Sequence, residues 1–223
     1  MNSYINLVSF FQSGGLFMYP IALVLVVGLV IALERWLFLT RARGQNRSAM
    51  KRILPMLANK DLAAIRQLSD ESKAPVARIV AAGIQRLRLS QRRDDIEFAM
   101  EEGIMEYVPR IEKRTPYLAT LANIATLMGL LGTIIGLIAA FTAVASADPA
   151  EKATLLSQSI SVAMNTTAFG LMAAIPLLLL HSVLQSKTTE IIDSLEMAGV
   201  KFLNMLCEKQ AVAHQSRVND RAA

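Results

Sequence analysis

Three stretches of this chain contain no Asp, Glu, Lys or Arg: residues 1–33, 115–147 and 153–186. A helix crosses a hydrocarbon core of roughly 30 Å with about 20 mostly apolar residues. Each stretch exceeds that length, whereas a helix on the surface of a soluble domain carries charge on its outer face. The pattern therefore predicts an all-α integral membrane protein with three transmembrane helices, over residues 16–39, 115–147 and 154–186. Half the chain is apolar in many soluble proteins too, so it is the arrangement of apolar residues that decides.

Charge predicts the orientation. The net charge is +5, and 16 of the 23 Lys and Arg lie between residues 41 and 114, in the segment joining the first and second spans. The connection between the second and third spans carries Asp148, Glu151 and only Lys152. Positive residues mark the cytoplasmic side, which predicts an N-out, C-in protein with its long basic segment in the cytoplasm. The basic excess is read as topology, so nucleic acid is not an expected partner. A cleaved leader needs a basic start and a small-residue cleavage site. Here the first apolar run ends in Glu34-Arg35-Trp36, and it reads as an uncleaved anchor. One Cys (Cys207) and two His form neither an intrachain disulfide nor a zinc site.

Residues 1–15 place Tyr4, Leu7, Val8 and Phe11 at helical spacing, which predicts an interfacial amphipathic helix. Gly14-Gly15 separates it from the first span. Residues 40–114 form a cytoplasmic helical region, with breaks near Asn59-Lys60-Asp61 and over residues 69–75. Val76, Ile79, Val80, Gly83 and Leu87 make one apolar stripe, and Ile96, Met100, Ile104, Tyr107 and Ile111 a second, both read as helix-on-helix packing. The uncharged second and third segments extend for roughly 50 Å at 1.5 Å per residue, so they continue past the bilayer as long cytoplasmic helical extensions. Residues 148–153 form a periplasmic loop. Residues 187–210 form a C-terminal helix with Ile191, Leu195, Ala198, Phe202 and Met205 on one face, and residues 211–223 a polar, disordered tail.

In the second span Thr126, Gly129, Thr133, Gly136 and Ala140 share a face, with Gly132 beside it. Small residues at this spacing let helices approach closely in lipid. The third span carries Ser157, Ser159, Ser161, Asn165, Thr166 and Thr167, with Ala163, Thr167, Gly170 and Ala174 as its small-residue face. A lone hydroxyl can satisfy itself on the carbonyl four residues back. Asn165, with two donors and an acceptor, is harder to satisfy locally. The cluster at 165–167 covers more than half of the helix circumference, so part of it faces a partner helix or water. No charged side chain lies at mid-membrane depth, although intramembrane ion carriers normally need one. His181 is near the inner end of the third span. This chain can line a path, but a protonatable carboxylate has to come from another subunit.

The run from Gly129 to Gly136 (GLLGTIIG), followed by NTTAFGLMAAIP from Asn165 to Pro176, resembles the MotA/TolQ/ExbB proton-channel family, and within it the three-span ExbB and TolQ subunits. The resemblance implies a homo-pentamer around two copies of a single-span partner of the ExbD/TolR type, whose membrane Asp supplies the missing carboxylate. It implies a bacterial inner-membrane machine that transmits work from ion flow to a TonB-like protein, or in a TolQ-like role serves envelope integrity. Thr133 and Thr167 match the family's path-lining threonines, and Asn165 and Thr166 are added as candidates. Gly129, Gly132, Gly136, Gly170 and Pro176 are assigned to helix packing. No cofactor or resident metal is expected; the transported ion is H+ or Na+, the latter passing transiently over Thr133 and Thr167. Two positions depart from the family. Val162 stands where ExbB and TolQ usually have Glu, and Thr126 where Pro is common. Competing readings are a membrane scaffold without an ion path, which would not need the polar 165–167 cluster, and an intramembrane enzyme. The latter lacks a G-x-S-x-G motif or a membrane acidic pair.

Overall fold

The computed structural model describes residues 11, 14–59, 61–72, 74–90 and 92–222, and every regular element among them is an α-helix. In chain order these are α1 (Met18–Ala58), α2 (Leu62–Glu71), α3 (Pro75–Leu89), α4 (Arg93–Glu112), α5 (Thr115–Ser146) and α6 (Lys152–Ala222). Three helical segments are long and apolar enough to cross a membrane, and they lie in α1, α5 and α6. The interfacial helix expected over residues 1–15 falls outside the described residues except at 11, 14 and 15.

Helix boundaries differ from the sequence expectation where no breaker interrupts the chain. The first span does not stop at residue 39 but continues as one helix to Ala58. The third span and the C-terminal helix are likewise one 71-residue helix. That helix continues to Ala222, past residue 210, where the polar composition predicts disorder. The reason is local. Only Pro176 interrupts the backbone ladder of α6, and a proline removes one hydrogen bond without ending a helix that is packed on both sides of it. Where true stop signals stand, the chain does break. Arg114 adopts a left-handed conformation (φ 69°), and Pro116 occupies the first turn of α5. Such a φ is uncommon outside glycine. The Arg114 guanidinium is held by Glu34 at 2.7 Å.

The chain divides into two compact units. The first contains Met1–Arg35 and Arg114–Leu184, that is, the start of α1, all of α5 and the first half of α6. On α5 the buried positions from Thr115 to Gly132 are Thr115, Leu118, Ala122, Ala125, Gly129 and Gly132, at alternating spacings of three and four, and Ala140 is buried further on. A mean repeat near 3.5 is the mark of a left-handed seam between helices. On α6 the same alternation runs through Ala163, Thr166, Gly170, Ala173 and Leu177. Most seam residues are small, which brings backbones together where the hydrophobic drive is absent. The apolar residues facing outward, such as Leu127, Ile134, Ile138 and Leu179, suit a lipid or subunit contact.

The second unit contains Trp36–Lys113 and Gln185–Ala223. Its core is built from larger side chains: Ile79, Val80 and Ile84 of α3, Ile96, Met100 and Ile104 of α4, and Ile191, Leu195 and Phe202 of α6. The stripes expected from the sequence are buried apart from Leu87, Tyr107 and Met205, which are only half-buried, and Ile84 joins them. Asp61 caps α2 by accepting from the Ala64 N–H at 3.0 Å. The Lys187 ammonium sits over the Trp36 ring, 3.1 Å from its centroid.

Candidate functional site

The closest approach of α5 and α6 lies where the glycines meet. A Cβ built on Gly170 falls 2.8 Å from the Ala125 carbonyl oxygen and 3.0 Å from the Gly129 Cα. One built on Gly136 falls 2.8 Å from the Ala163 Cβ. Backbones at this separation bring the hydroxyl of one helix within reach of the carbonyls of the other.

Thr133 and Thr167 use that reach. The Thr133 hydroxyl donates to the Gly129 carbonyl of its own helix at 3.1 Å. The Thr167 hydroxyl donates to the same carbonyl from across the interface at 2.9 Å. The two hydroxyls also lie in hydrogen-bonding contact with each other, and because each has one proton, at most two of these three contacts are donated at once. Two hydroxyls own two protons but several lone pairs, so the three oxygens keep acceptor capacity after their mutual bonds are made. Thr133 and Thr167 are half-buried rather than enclosed. The cluster can therefore bind a hydrogen-bond donor or a small cation at mid-span, the level at which neither helix carries a charge.

The other sequence candidates are placed differently. Thr166 is 2% exposed. Its one proton is shared between the Gly14 carbonyl at 2.7 Å and the Val162 carbonyl at 3.0 Å. Its position one residue from Thr167 turns it about 100° around the helix, away from the shared carbonyl and onto the Gly14-Gly15 turn. Gly15 has φ +74°, a conformation that favours glycine. Thr126 donates to the Ala122 carbonyl of its own helix at 3.1 Å. Asn165 is half-buried. Val162 lies beside Gly15, whose added Cβ would stand 3.2 Å from a Val162 methyl. The sequence singled out the two threonines. It gave no sign of the Gly129 and Gly14 carbonyls, because a main-chain acceptor leaves no mark in residue type.

These positions make a stability prediction. Thr166→Val removes the donor to a buried carbonyl, which costs about 1–3 kcal/mol. Thr126→Val removes only a bond within its own helix and is expected to be near neutral. Thermal unfolding in detergent should rank Thr166→Val well below Thr126→Val; equal midpoints would show that the Gly14 contact contributes nothing.

Three spans, a glycine-mediated helix pair and an uncharged hydroxyl cluster at its centre define a multi-pass membrane protein of the channel-subunit kind. The profile of the MotA/TolQ/ExbB proton channel family matches residues 71–197, and the chain belongs to that family. Relatives include a putative biopolymer transport protein ExbB homolog of Methanothermobacter thermautotrophicus, 29% identical over 88% of this chain and 69% of the relative. A putative ExbB-like protein of Synechocystis is 28% identical over 94% of this chain and 82% of the relative. The Tol-Pal system protein TolQ of Haemophilus influenzae is 33% identical over 42% of this chain and 40% of its own length. The chain is thus a membrane subunit of the ExbB/TolQ type, in a family of channel subunits rather than enzymes.

Proposed function

We propose that this chain is the channel subunit of an ion-driven motor in the bacterial inner membrane, coupling ion flow to mechanical work on a periplasm-spanning TonB-type protein. The observation that carries the reading is the Thr133–Thr167–Gly129 oxygen cluster on helices without a charged group at that depth. Such a site accepts a proton donor or a cation but holds no charge of its own. A single-span partner of the ExbD/TolR type supplies the membrane Asp, two copies standing inside a pentamer of this chain. A role in envelope integrity, as in the Tol-Pal system, would use the same machinery with a different periplasmic client. The orientation is N-out, with the basic segment in the cytoplasm.

The proton is the ion that the family's description names. Sodium is the second reading, favoured by two features of this chain. Val162 replaces the family's usual Glu, and hard oxygen ligands from two hydroxyls and a carbonyl suit an alkali cation.

The test is ion flux into proteoliposomes containing this chain and its single-span partner. Flux should require the partner's membrane Asp and vanish with Asn in its place, and varying sodium at fixed pH identifies the ion. Flux indifferent to that Asp would refute the motor reading. Orientation is read in a Cys207→Ser background. Asp148→Cys should react with an impermeant thiol reagent from the periplasm, and Gly44→Cys only after the inner face is opened.

A further inference from the structure

The second unit carries two grooves of opposite charge. The first, about 500 Å³, lies between α1 and α6 and presents Arg43, Arg47 and Lys51 of α1. Asn46 lines it and is 6% exposed; its side-chain oxygen accepts from the Val76 N–H at 3.3 Å, while its amide nitrogen has no hydrogen-bond partner. A buried donor without an acceptor is costly, and the groove that Asn46 lines holds three cations and one carboxylate, Glu190. The Arg43 guanidinium is paired with Glu190, whereas among the described residues no ion pair holds Arg47 or Lys51. The second groove, about 390 Å³, lies between α4 and α6 and presents Glu97, Glu101 and Glu196 around an apolar floor. On its rim Met105 is 70% exposed and Val200 52%. Arg93 reaches Glu97 only at 3.9 Å, and no described cation pairs with Glu101 or Glu196.

The two grooves open on opposite sides of α6. That helix contributes Glu190, Ile191, Ser194 and Leu195 to the first and Glu196, Gly199, Val200 and Leu203 to the second. At about 100° per residue the two sets are centred about 160° apart. The α6 residues lining the two grooves are centred about seven residues, roughly 10 Å, apart along the helix, but the charges that would meet stand at similar heights. Along α1, Trp36 lies by Lys187 and Arg43 by Glu190, so α1 runs parallel to α6. Lys51, eight residues past Arg43, then reaches the level of residue 198. Along α4, Arg93 bonds Asn204 and Met100 lies against Gly199, so α4 runs antiparallel. Glu101 therefore reaches the level of residue 198 as well.

We propose that the basic groove of one copy docks on the acidic groove of the next copy of this chain, head to tail, with Lys51 opposite Glu101 and Arg47 opposite Glu196. A carboxylate entering the basic groove would also give the Asn46 amide its acceptor. Unlike, complementary patches on opposite sides of a protomer make a heterologous contact, which closes into a ring when the rotation permits. This surface rests on the ring-forming reading proposed above and names the contact that orders the ring.

The experiment is disulfide trapping in membranes, in a Cys207→Ser background with the single-span partner co-expressed. Lys51→Cys with Glu101→Cys in one chain should give, on mild oxidation, a ladder of linked species up to the full ring. Lys51→Cys alone should give dimers at most. Separately, Lys51→Glu opposes like charges at every interface. It should raise the dissociated fraction at least tenfold on detergent dilution, and Lys51→Glu with Glu101→Lys should return it to within twofold of the parent. A parent ring that yields no ladder and ignores both reversals overturns this surface alone. A parent that is monomeric by native mass spectrometry overturns the ring reading along with it.

Discussion

Replacing Thr133 or Thr167 by Val is expected to abolish most ion-coupled work while leaving protein level and oligomer unchanged. Valine keeps the volume and the β-branch and loses only the hydroxyl. Both hydroxyls converge on the Gly129 carbonyl from different helices. Removing either one leaves a single oxygen donor beside the carbonyl where the ion or the partner's carboxyl would be held. A polar partner left unpaired in a buried site costs about 1–3 kcal/mol, and each 1.4 kcal/mol is a factor of about ten in occupancy. Flux in proteoliposomes should therefore fall about tenfold for each single variant. Because the two hydroxyls share one acceptor, the double variant should fall by less than the product of the singles, as coupled sites do. Thr142→Val, whose hydroxyl bonds the Ile138 carbonyl of its own helix in an exposed position, should retain full flux. Full flux in both single variants would remove the cluster from the ion path.

The sequence was most legible where one residue type has one physical meaning. Absence of charge over 33 residues marks a span, and Pro116 suits the first turn that opens α5, although Pro55, Pro109 and Pro176 lie inside helices. The stripes of α3 and α4 could be read from their period. What the sequence did not disclose is where helices fail to end. Helical extensions past the spans were expected, but the change from apolar to charged residues at 40 and 187 looks like a boundary, so the unbroken runs of α1 to Ala58 and of α6 to Ala222 were not. The same limit applies to the site. Thr133 and Thr167 stood out as hydroxyls on small-residue faces, whereas Thr166 was a candidate only as part of the polar cluster at 165–167. Which of two adjacent threonines faces the neighbouring helix and which faces the N-terminal turn depends on the phase of α6 in the packed pair. Gly14, 152 residues away in sequence from its donor, decides it. Likewise, nothing in the sequence singled out Arg47 or Glu101, which the fold places in grooves on opposite sides of one helix.

The largest structural effect is expected from one added methyl group. Gly170→Ala places a Cβ 2.8 Å from the Ala125 carbonyl oxygen, 3.0 Å from the Gly129 Cα and 3.3 Å from the Gly129 nitrogen. All three are backbone atoms, so no side chain can rotate away and the helices themselves must separate. Overpacking of this kind costs about 1–3 kcal/mol, and close small-residue packing is what holds helices together in lipid. The separation also has a functional consequence, because Thr167 stands one turn before Gly170 and spans the same interface to reach Gly129. Moving α5 from α6 by even an ångström would stretch that 2.9 Å bond beyond hydrogen-bonding distance. Gly170→Ala should thus lower the thermal midpoint and the flux together, whereas Thr167→Val lowers flux alone. Gly129→Ala, whose nearest contacts are 3.2 Å and 3.3 Å, should be milder in both. Gly44→Ala has nothing within 4 Å. In the interior of α1 it should stabilise by about 0.5–1 kcal/mol through helix propensity alone. A Gly170→Ala protein that unfolds at the parent temperature would mean that α5 and α6 are not held at backbone contact in the membrane. The shared carbonyl between Thr133 and Thr167 would then lose its structural basis.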